Sequence, residues 1–299
     1  MAYTKSRTRN ENKNSKGIGE MARGIKTVEL NERDLFVLFL LDKFRVLDGK
    51  SLAILAGFPS ESYCSTRLQK LAKFGYIKRE KLVSSLPLVH YLTVKGNDEI
   101  NDKRTKHQPR LATLEHELYI GQVASYLWLT QGVQPKNIIT DRELRQYERQ
   151  ENDVRVMEHK GDLLFFDPLR GTKTVVEIEL SFKGKGRTAK NVRKNSSFLD
   201  RQLWFIRKSM RGLEKVLLDE GLKQSNIFYL ESLDLDSLQT DRELDRDFTG
   251  YSAIESIRTL FNRTSRAQAS QEQPQAQEVE DKPIEPQEQA KSSFFDRFR

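Results

Sequence analysis

Three acidic residues near the middle of the chain have the types and spacing for metal-assisted chemistry. Asp162 begins one apolar run, and Glu177 and Glu179 stand two positions apart in the next. Residues two apart on a strand face the same side of a sheet, so the glutamates project together and Asp162 can lie across from them. Such carboxylates suit a Mg²⁺ or Mn²⁺ ion that polarises a phosphodiester and activates water. A solvated sheet face with glutamates paired to Lys or Arg explains the spacing equally well.

A dense cationic run follows these residues directly. We interpret it as a basic helix whose cations hold the phosphates beside a cleavage point. Phe198, Trp204 and Phe205 are predicted to bury the inner side of this helix. The cations are Lys183, Lys185, Arg187, Lys190, Arg193 and Lys194, continued by Arg201, Arg207, Lys208 and Arg211.

The elements that must position the carboxylates are a predicted β-hairpin and its neighbours. The hairpin pairs residues 161–166 with 174–180 across a turn at 167–171. Strand, hairpin, helix and strand in this order predict an α/β domain with a mixed sheet. The neighbours are a helix at 111–129 that contains His116 as a packing or capping residue, a short strand at 137–140, a polar helical segment at 141–145 that bears Glu143, and a strand at 226–230.

The preceding block has a different pattern. Apolar spacing predicts a helix from about Asn31, a second at 50–56 and a third at 61–74, and β-prone runs follow at 76–83 and 88–94. This order is the layout of a winged helix-turn-helix, whose third helix enters the major groove of DNA. A small helical domain that contacts proteins is the alternative.

The outward face of the third helix carries the groups that groove reading requires, and these predict double-stranded DNA as the partner. They are Tyr63, Thr66, Arg67, Gln69, Lys70 and Lys73, opposite the inward-facing Cys64, Leu68 and Leu71.

Composition narrows the classes of function. The net charge of +8 and a pI near 9.4 favour a polyanionic partner, either nucleic acid or an anionic membrane face. Cys64 is the one cysteine among 299 residues, which excludes an intrachain disulfide and a cysteine-based zinc site. No apolar run approaches the roughly 20 residues that span a bilayer, and we expect a cytoplasmic protein.

The predicted organisation has four parts. A disordered basic arm at 1–28 precedes a winged-helix domain at 29–102 and a nuclease-like domain at 110–264. The tail at 265–299 is too polar to fold. Its Phe-rich end is either a docking peptide for other transfer or replication proteins or a terminus without a specific function.

The pattern of Asp162 followed by Glu177-Ile178-Glu179 resembles the PD-(D/E)xK nuclease core. There an Asp and a Glu on adjoining strands bind the metal, and a Lys two residues after the Glu assists the water. Gly161 replaces the Pro of that pattern and Glu179 replaces its Lys, for which Lys183 could substitute.

More broadly, residues ~30–230 resemble the replication-relaxation family and MobC-type plasmid relaxases. The shared features are the winged-helix block, Leu114-Glu115-His116, the 141–145 segment and the His-Lys-Gly-Asp to Glu-Ile-Glu core. The resemblance implies action on plasmid or mobile-element DNA at a transfer or replication origin.

The roles that the resemblance implies follow residue by residue. Asp162, Glu177 and Glu179 would bind the metal, Glu143 would add a carboxylate, Lys183 would stabilise the transition state, and His159 would contact the phosphate or cap a strand. The expected function is a metal-dependent nickase. The alternative is a non-catalytic origin-binding accessory factor or repressor with a degenerate nuclease fold.

Overall fold

The computed structural model describes residues 28–100, 108–151, 161–237 and 242–262. Within these ranges the chain is a mixed α+β protein with one antiparallel and one mixed β-sheet, which confirms the predicted mixture of helices and sheets. The predicted basic arm up to residue 27, His159 and the tail at 265–299 lie outside the described residues, so what the sequence predicts for them stays a prediction.

The first half contains the three predicted helices and the predicted hairpin. Its three strands form an antiparallel sheet in the order β1-β3-β2. Strand β1 and helix α4 were not predicted, because elements of two and six residues are too short to show a period. The elements are α1 (Glu32–Phe44), β1 (Leu47–Asp48), α2 (Gly49–Leu55), α3 (Glu61–Lys73), β2 (Ile77–Glu80), β3 (Val89–Leu92) and α4 (Val94–Glu99).

Local hydrogen bonds begin these helices where the sequence predicts. Asn31 and Asp34 form a capping box on α1, with both bonds at 2.9 Å. The hydroxyl of Ser60 accepts from the Tyr63 amide at 3.2 Å and caps α3. Because each cap satisfies an otherwise unpaired amide, helix starts can be read from the sequence alone.

The second half is built around a five-stranded sheet in the order β4-β5-β6-β7-β8. Neighbours among β4, β5 and β6 run antiparallel, whereas β7 is parallel to β6 and β8 is parallel to β7. The elements are α5 (Leu114–Gln131), β4 (Ile139–Thr140), α6 (Asp141–Glu151), β5 (Leu163–Asp167), β6 (Thr172–Glu179), α7 (Lys185–Phe198), β7 (Arg201–Ile206), α8 (Arg211–Asp219), β8 (Ile227–Tyr229) and α9 (Ala253–Asn262).

Strand β7 corrects the sequence prediction for the basic run. Trp204 and Phe205 do not line the inner side of a helix but lie on this strand, and Phe198 at the end of α7 is 43% exposed. A strand covered on both faces is apolar throughout and has no alternating pattern, so its sequence does not distinguish it from a buried helix.

Among the described residues, the largest buried core joins the two halves. Val176, Ile178 and Phe205 on one face of the large sheet belong to the same apolar cluster as α5 and the first-half helices. The other face carries two smaller clusters, one beneath α6 and α9 and one beneath α7 and α8. The core therefore continues across the boundary predicted at residues 102–110.

Gly57 and Gly75 offer a matched pair of stability tests. Both have positive φ, +63° and +78°, but an added Cβ at Gly57 would lie 2.6 Å from Arg246 Nη2 and 2.9 Å from Leu244 Cδ2. Gly75 has no such neighbour within 4 Å. We expect Gly75→Ala to cost about 1 kcal/mol from backbone strain. Gly57→Ala should cost slightly more, about 1–2 kcal/mol, because the ends of the Arg246 and Leu244 side chains must also shift. Urea denaturation measures both, and equal losses would contradict the crowding.

Candidate functional site

Helix α3 presents a polar outer face to solvent. Its buried side consists of Cys64, Leu68 and Leu71, none of which is accessible. Tyr63 is 53% exposed. The exposed face therefore offers hydrogen-bonding groups and two cations, as predicted for five of the six residues. These five are Tyr63, Thr66, Gln69, Lys70 and Lys73.

Arg67 is the exception on α3. Its Nε donates to Asp34 Oδ1 at 2.6 Å and its Nη2 to the other oxygen of that fully buried carboxylate. A further bond joins Nη2 to the Glu29 carbonyl at 3.1 Å. The hydrogen bond to Asp34 raises the pKa of Arg67. Arg67 thus ties α3 to α1, and its predicted role as a DNA contact stays a prediction. The sequence did contain a sign of this inward position: Arg67 comes three residues after Cys64, at the edge of the apolar stripe of α3.

The β2–β3 hairpin is fixed against α3. Arg79 Nη2 on β2 donates to Ser65 Oγ on α3 at 3.1 Å. Beyond the hairpin, the Thr93 hydroxyl donates to the carbonyl of Gly75, which follows α3, at 2.6 Å. Helix and hairpin therefore form one surface.

Asp162 lies at the rim of the large sheet, just before β5. Its Oδ2 accepts from the Ile178 amide at 2.7 Å, so the carboxylate continues the hydrogen bonding between β5 and β6. Its Oδ1 is 3.3 Å from Nε2 of His116 on α5. Burial lowers the pKa of His116, but the contacts with Asp162 and with the Ile178 carbonyl, 3.1 Å from Nε2, together outweigh it and the net pKa is raised. His116 therefore connects α5 to the sheet by packing contacts.

Glu177 and Glu179 are both buried on β6, with 6% and 9% exposure. Glu177 Oε1 accepts from Asn195 Nδ2 on α7 at 3.1 Å. Glu179 forms an ion pair with Lys183, whose Nζ is 2.9 Å from Oε2 and 3.0 Å from Oε1. The predicted pair of glutamates thus shares one sheet face, and each has a partner from the segment that follows β6.

These contacts do not fit the predicted metal set. Mg²⁺ needs near-octahedral oxygen ligands, whereas Asp162 already bonds Ile178 and faces His116, and Glu179 pairs with Lys183. Among the residues that the structure describes, no three His, Cys, Asp or Glu side chains are placed to hold a metal ion together. The alternative, a solvated face with both glutamates paired to Lys or Arg, fits only in part: Glu179 pairs with Lys183, whereas Glu177 bonds the Asn195 amide and both glutamates are buried.

Glu143, for which the resemblance implies a further carboxylate at the site, belongs to a separate buried cluster. Its carboxylate accepts from Lys43 Nζ on α1 at 2.9 and 3.0 Å and from the Tyr251 hydroxyl at 2.8 Å. The Thr140 amide adds a bond at 2.8 Å. Glu143 therefore joins α6 to α1 and to the C-terminal segment. The sequence contains one sign of this buried cluster: Lys43 is a cation within the apolar pattern of α1 and therefore needs a buried partner.

The basic helix is present as α7. Lys185, Arg187 and Lys190 are exposed. Arg193 is also exposed but forms two bonds to Glu220, at 2.7 and 2.8 Å, and Lys194 is half-buried. Four of the five predicted phosphate-binding cations on this helix therefore face solvent, and one of the four, Arg193, is paired with Glu220.

Comparisons with protein-family models, curated proteins and solved structures find no match to this chain. Within the described ranges, none of the helices combines the length and apolar character needed to cross a membrane. The function is therefore argued from the geometry of the molecule itself.

Proposed function

We propose that this protein binds double-stranded DNA through α3 and the β2–β3 hairpin, as a winged helix-turn-helix does. The observation that carries the proposal is the division of α3 into a fully buried apolar side and an exposed side of polar and cationic residues. Base edges require hydrogen-bonding groups and phosphates require cations. The order of three helices and an antiparallel hairpin, with β1 between α1 and α2, supports the same reading.

The net charge of the protein and its resemblance to plasmid proteins suggest which DNA it binds. The net charge of +8 favours a polyanion. The resemblance to replication-relaxation proteins and MobC-type relaxases suggests plasmid or mobile-element DNA at a transfer or replication origin, in the cytoplasm. The contacts of Asp162 and Glu179 within the protein favour the non-catalytic alternative, an origin-binding accessory factor or repressor.

Removing the two cations of α3 tests DNA binding. We expect the double variant Lys70→Ala, Lys73→Ala to bind an origin-region duplex about 10- to 100-fold more weakly, because each lost contact contributes about 1 kcal/mol or more. The slope of log K against log salt should fall by up to about 2 if both lysines contact phosphates. Fluorescence anisotropy at several salt concentrations measures both quantities.

The charge-matched control is Lys215→Ala, Lys223→Ala, which removes two exposed lysines from α8 and the loop after it. It should bind the duplex within about twofold of the wild type. Equal losses in both double variants would mean that only net charge matters, and α3 would not be the recognition element.

Strand nicking is the second candidate function. The observation that favours it is the placement of Asp162 beside β6, with Glu177 and Glu179 together on that strand and helix α7 leading to the parallel strand β7. This order agrees with the PD-(D/E)xK resemblance. The contacts described above would have to rearrange before a metal ion could bind.

A nicking assay separates the two candidates. Supercoiled plasmid that carries the origin region is incubated with Mg²⁺, Mn²⁺ or chelator, and open-circle product is scored. Asp162→Asn and Glu177→Gln preserve side-chain size, and Glu255→Gln on the surface of α9 is the control. Metal-dependent nicking that both site variants lose would establish an enzyme. If the protein binds the DNA but does not nick it, the non-catalytic accessory factor is the function that remains.

A further inference from the structure

The segment 242–252 crosses the surface of both halves without forming a helix or a strand, and we call it the C-terminal strap. One end lies against α5, where Arg242 Nη1 donates to the Leu129 carbonyl at 3.2 Å and Gln134 Nε2 donates to the Glu243 carbonyl at 2.8 Å. The first residues of the strap are therefore attached by hydrogen bonds to α5 and to the residues that follow it.

The middle of the strap contacts the turn between α2 and α3. Arg246 Nε donates to the Ala56 carbonyl at 3.2 Å, and its Nη2 donates to the Gly57 carbonyl at 3.3 Å. Ala56 is the C-cap of α2, so the guanidinium lies where the unpaired carbonyls of a helix end collect. Gly57 is close enough to the strap that a Cβ there would meet Leu244 at 2.9 Å.

The far end of the strap is anchored in the core. Phe248 stacks on Phe39 of α1 with ring centroids 4.8 Å apart. Tyr251 donates to Glu143 at 2.8 Å and meets Phe39 edge-on at 5.0 Å. The strap is therefore held at both ends independently of its contact with the turn.

The packing between the strap and the turn is incomplete. A cavity of about 450 Å³ lies there, and both the turn residue Phe58 and Glu61 of α3 line it together with Arg242 and Arg246. Apolar packing thus supplies only part of the attachment. Burial lowers the pKa of Arg246, the nearby Arg33 acts in the same direction, and Glu32 opposes them. The two carbonyl bonds are the direct hydrogen bonds that hold this guanidinium at the turn.

We infer that Arg246 is a positioning residue for α3: it clamps the α2–α3 turn and so fixes the angle at which α3 meets DNA. The inference rests on the proposed DNA binding. Reading base edges requires a fixed helix orientation, whereas contacts to phosphates carry no sequence information. Loss of the clamp therefore reduces discrimination between sequences more than it reduces binding to DNA in general.

The test compares Arg246→Ala with Arg242→Ala in the full-length protein. Both remove an arginine from the strap, but Arg242 is bonded to α5 rather than to the turn. The probes are a duplex selected by the wild-type protein from a random library and an unrelated duplex of the same length. Anisotropy gives the affinity ratio for the two duplexes. Amide hydrogen exchange of residues 56–75, measured without DNA, gives the mobility of the turn and α3.

For Arg246→Ala we expect an affinity ratio at least fivefold lower than that of the wild type, and faster exchange in residues 56–75. Arg242→Ala should keep both values, and Arg246→Lys should recover part of the ratio, since an ammonium can bond one of the carbonyls. Unchanged exchange in Arg246→Ala overturns the inference. A lower ratio with unchanged exchange would make Arg246 a direct DNA contact instead.

The two proposals fail in different ways. If the wild type binds no duplex, DNA binding through α3 is wrong, and the exchange data alone decide whether Arg246 clamps the turn. If Lys70→Ala, Lys73→Ala loses binding while Arg246→Ala keeps the wild-type ratio, DNA binding stands and the positioning role is wrong.

Discussion

Replacing Glu143 with alanine is expected to lower the free energy of unfolding by about 3–5 kcal/mol. The variant removes the Glu143 carboxylate from the ammonium of Lys43, which has 1% side-chain exposure. The Tyr251 hydroxyl and the Thr140 amide lose an acceptor at the same time. Because removing one charge of a buried ion pair is costly, this change should be among the most destabilising single substitutions in the protein. Urea denaturation followed by circular dichroism measures it.

Two further variants show which part of the loss comes from the charge. Lys43→Met with Glu143→Leu removes both charges and should cost clearly less than Glu143→Ala, because apolar side chains can replace a buried ion pair. Tyr251→Phe removes one hydroxyl from the cluster and should cost about 1 kcal/mol. A loss below about 1 kcal/mol in Glu143→Ala would contradict the importance of the cluster for joining α1 to α6.

Acidification from pH 6.5 to about pH 4 is expected to cost roughly 3 kcal/mol of stability through His90 alone. His90 lies on β3 with 2% exposure, and burial lowers its pKa from 6.5 to about 4. The backbone contact of Nδ1 with the Leu47 carbonyl at 3.3 Å offsets only part of that effect. Since the folded pKa lies below the unfolded one, the contribution of His90 is fully present above pH 6.5 and disappears as the pH falls towards 4.

The difference in pH dependence between wild type and His90→Gln isolates this contribution. Carboxylates titrate in both proteins and cancel in the comparison. His116, whose pKa is raised, acts in the opposite direction, because its stabilisation is present at low pH and lost as the pH rises through its folded pKa. Denaturation curves at pH 4, 5, 6 and 7 give the slopes. Parallel curves for the two proteins would show that His90 is not buried in its neutral form.

Much of the local structure is predictable from the sequence, because the interactions that form it span only a few residues. The capping box of Asn31 and the Ser60 cap place the starts of α1 and α3 within a residue or two of the prediction. Alternation likewise predicts that Glu177 and Glu179 share a face of β6. The mixture of helices and sheets follows from the same patterns.

The partners of the candidate site residues were not predictable in this way. Arg67 looks like an outward-facing cation on α3, but Asp34, a residue 33 positions away, holds it against α1. Glu143 looks like a member of an acidic site, but Lys43, 100 positions away, buries it in a cluster. The sequence pattern of a single helix or strand therefore does not predict either of these two ion pairs.

The sequence by itself determined most of the element types, the helix caps, the polar face of α3 and the basic character of α7. The tertiary structure alone decided that Trp204 lies on a central strand, that Asp162 bonds His116 and Ile178, and that the strap reaches the α2–α3 turn. The physical reason is distance along the chain. Short-range periodicity and hydrogen bonding form each element, whereas the ion pairs and packing that give a side chain its role arise only when distant segments share a core.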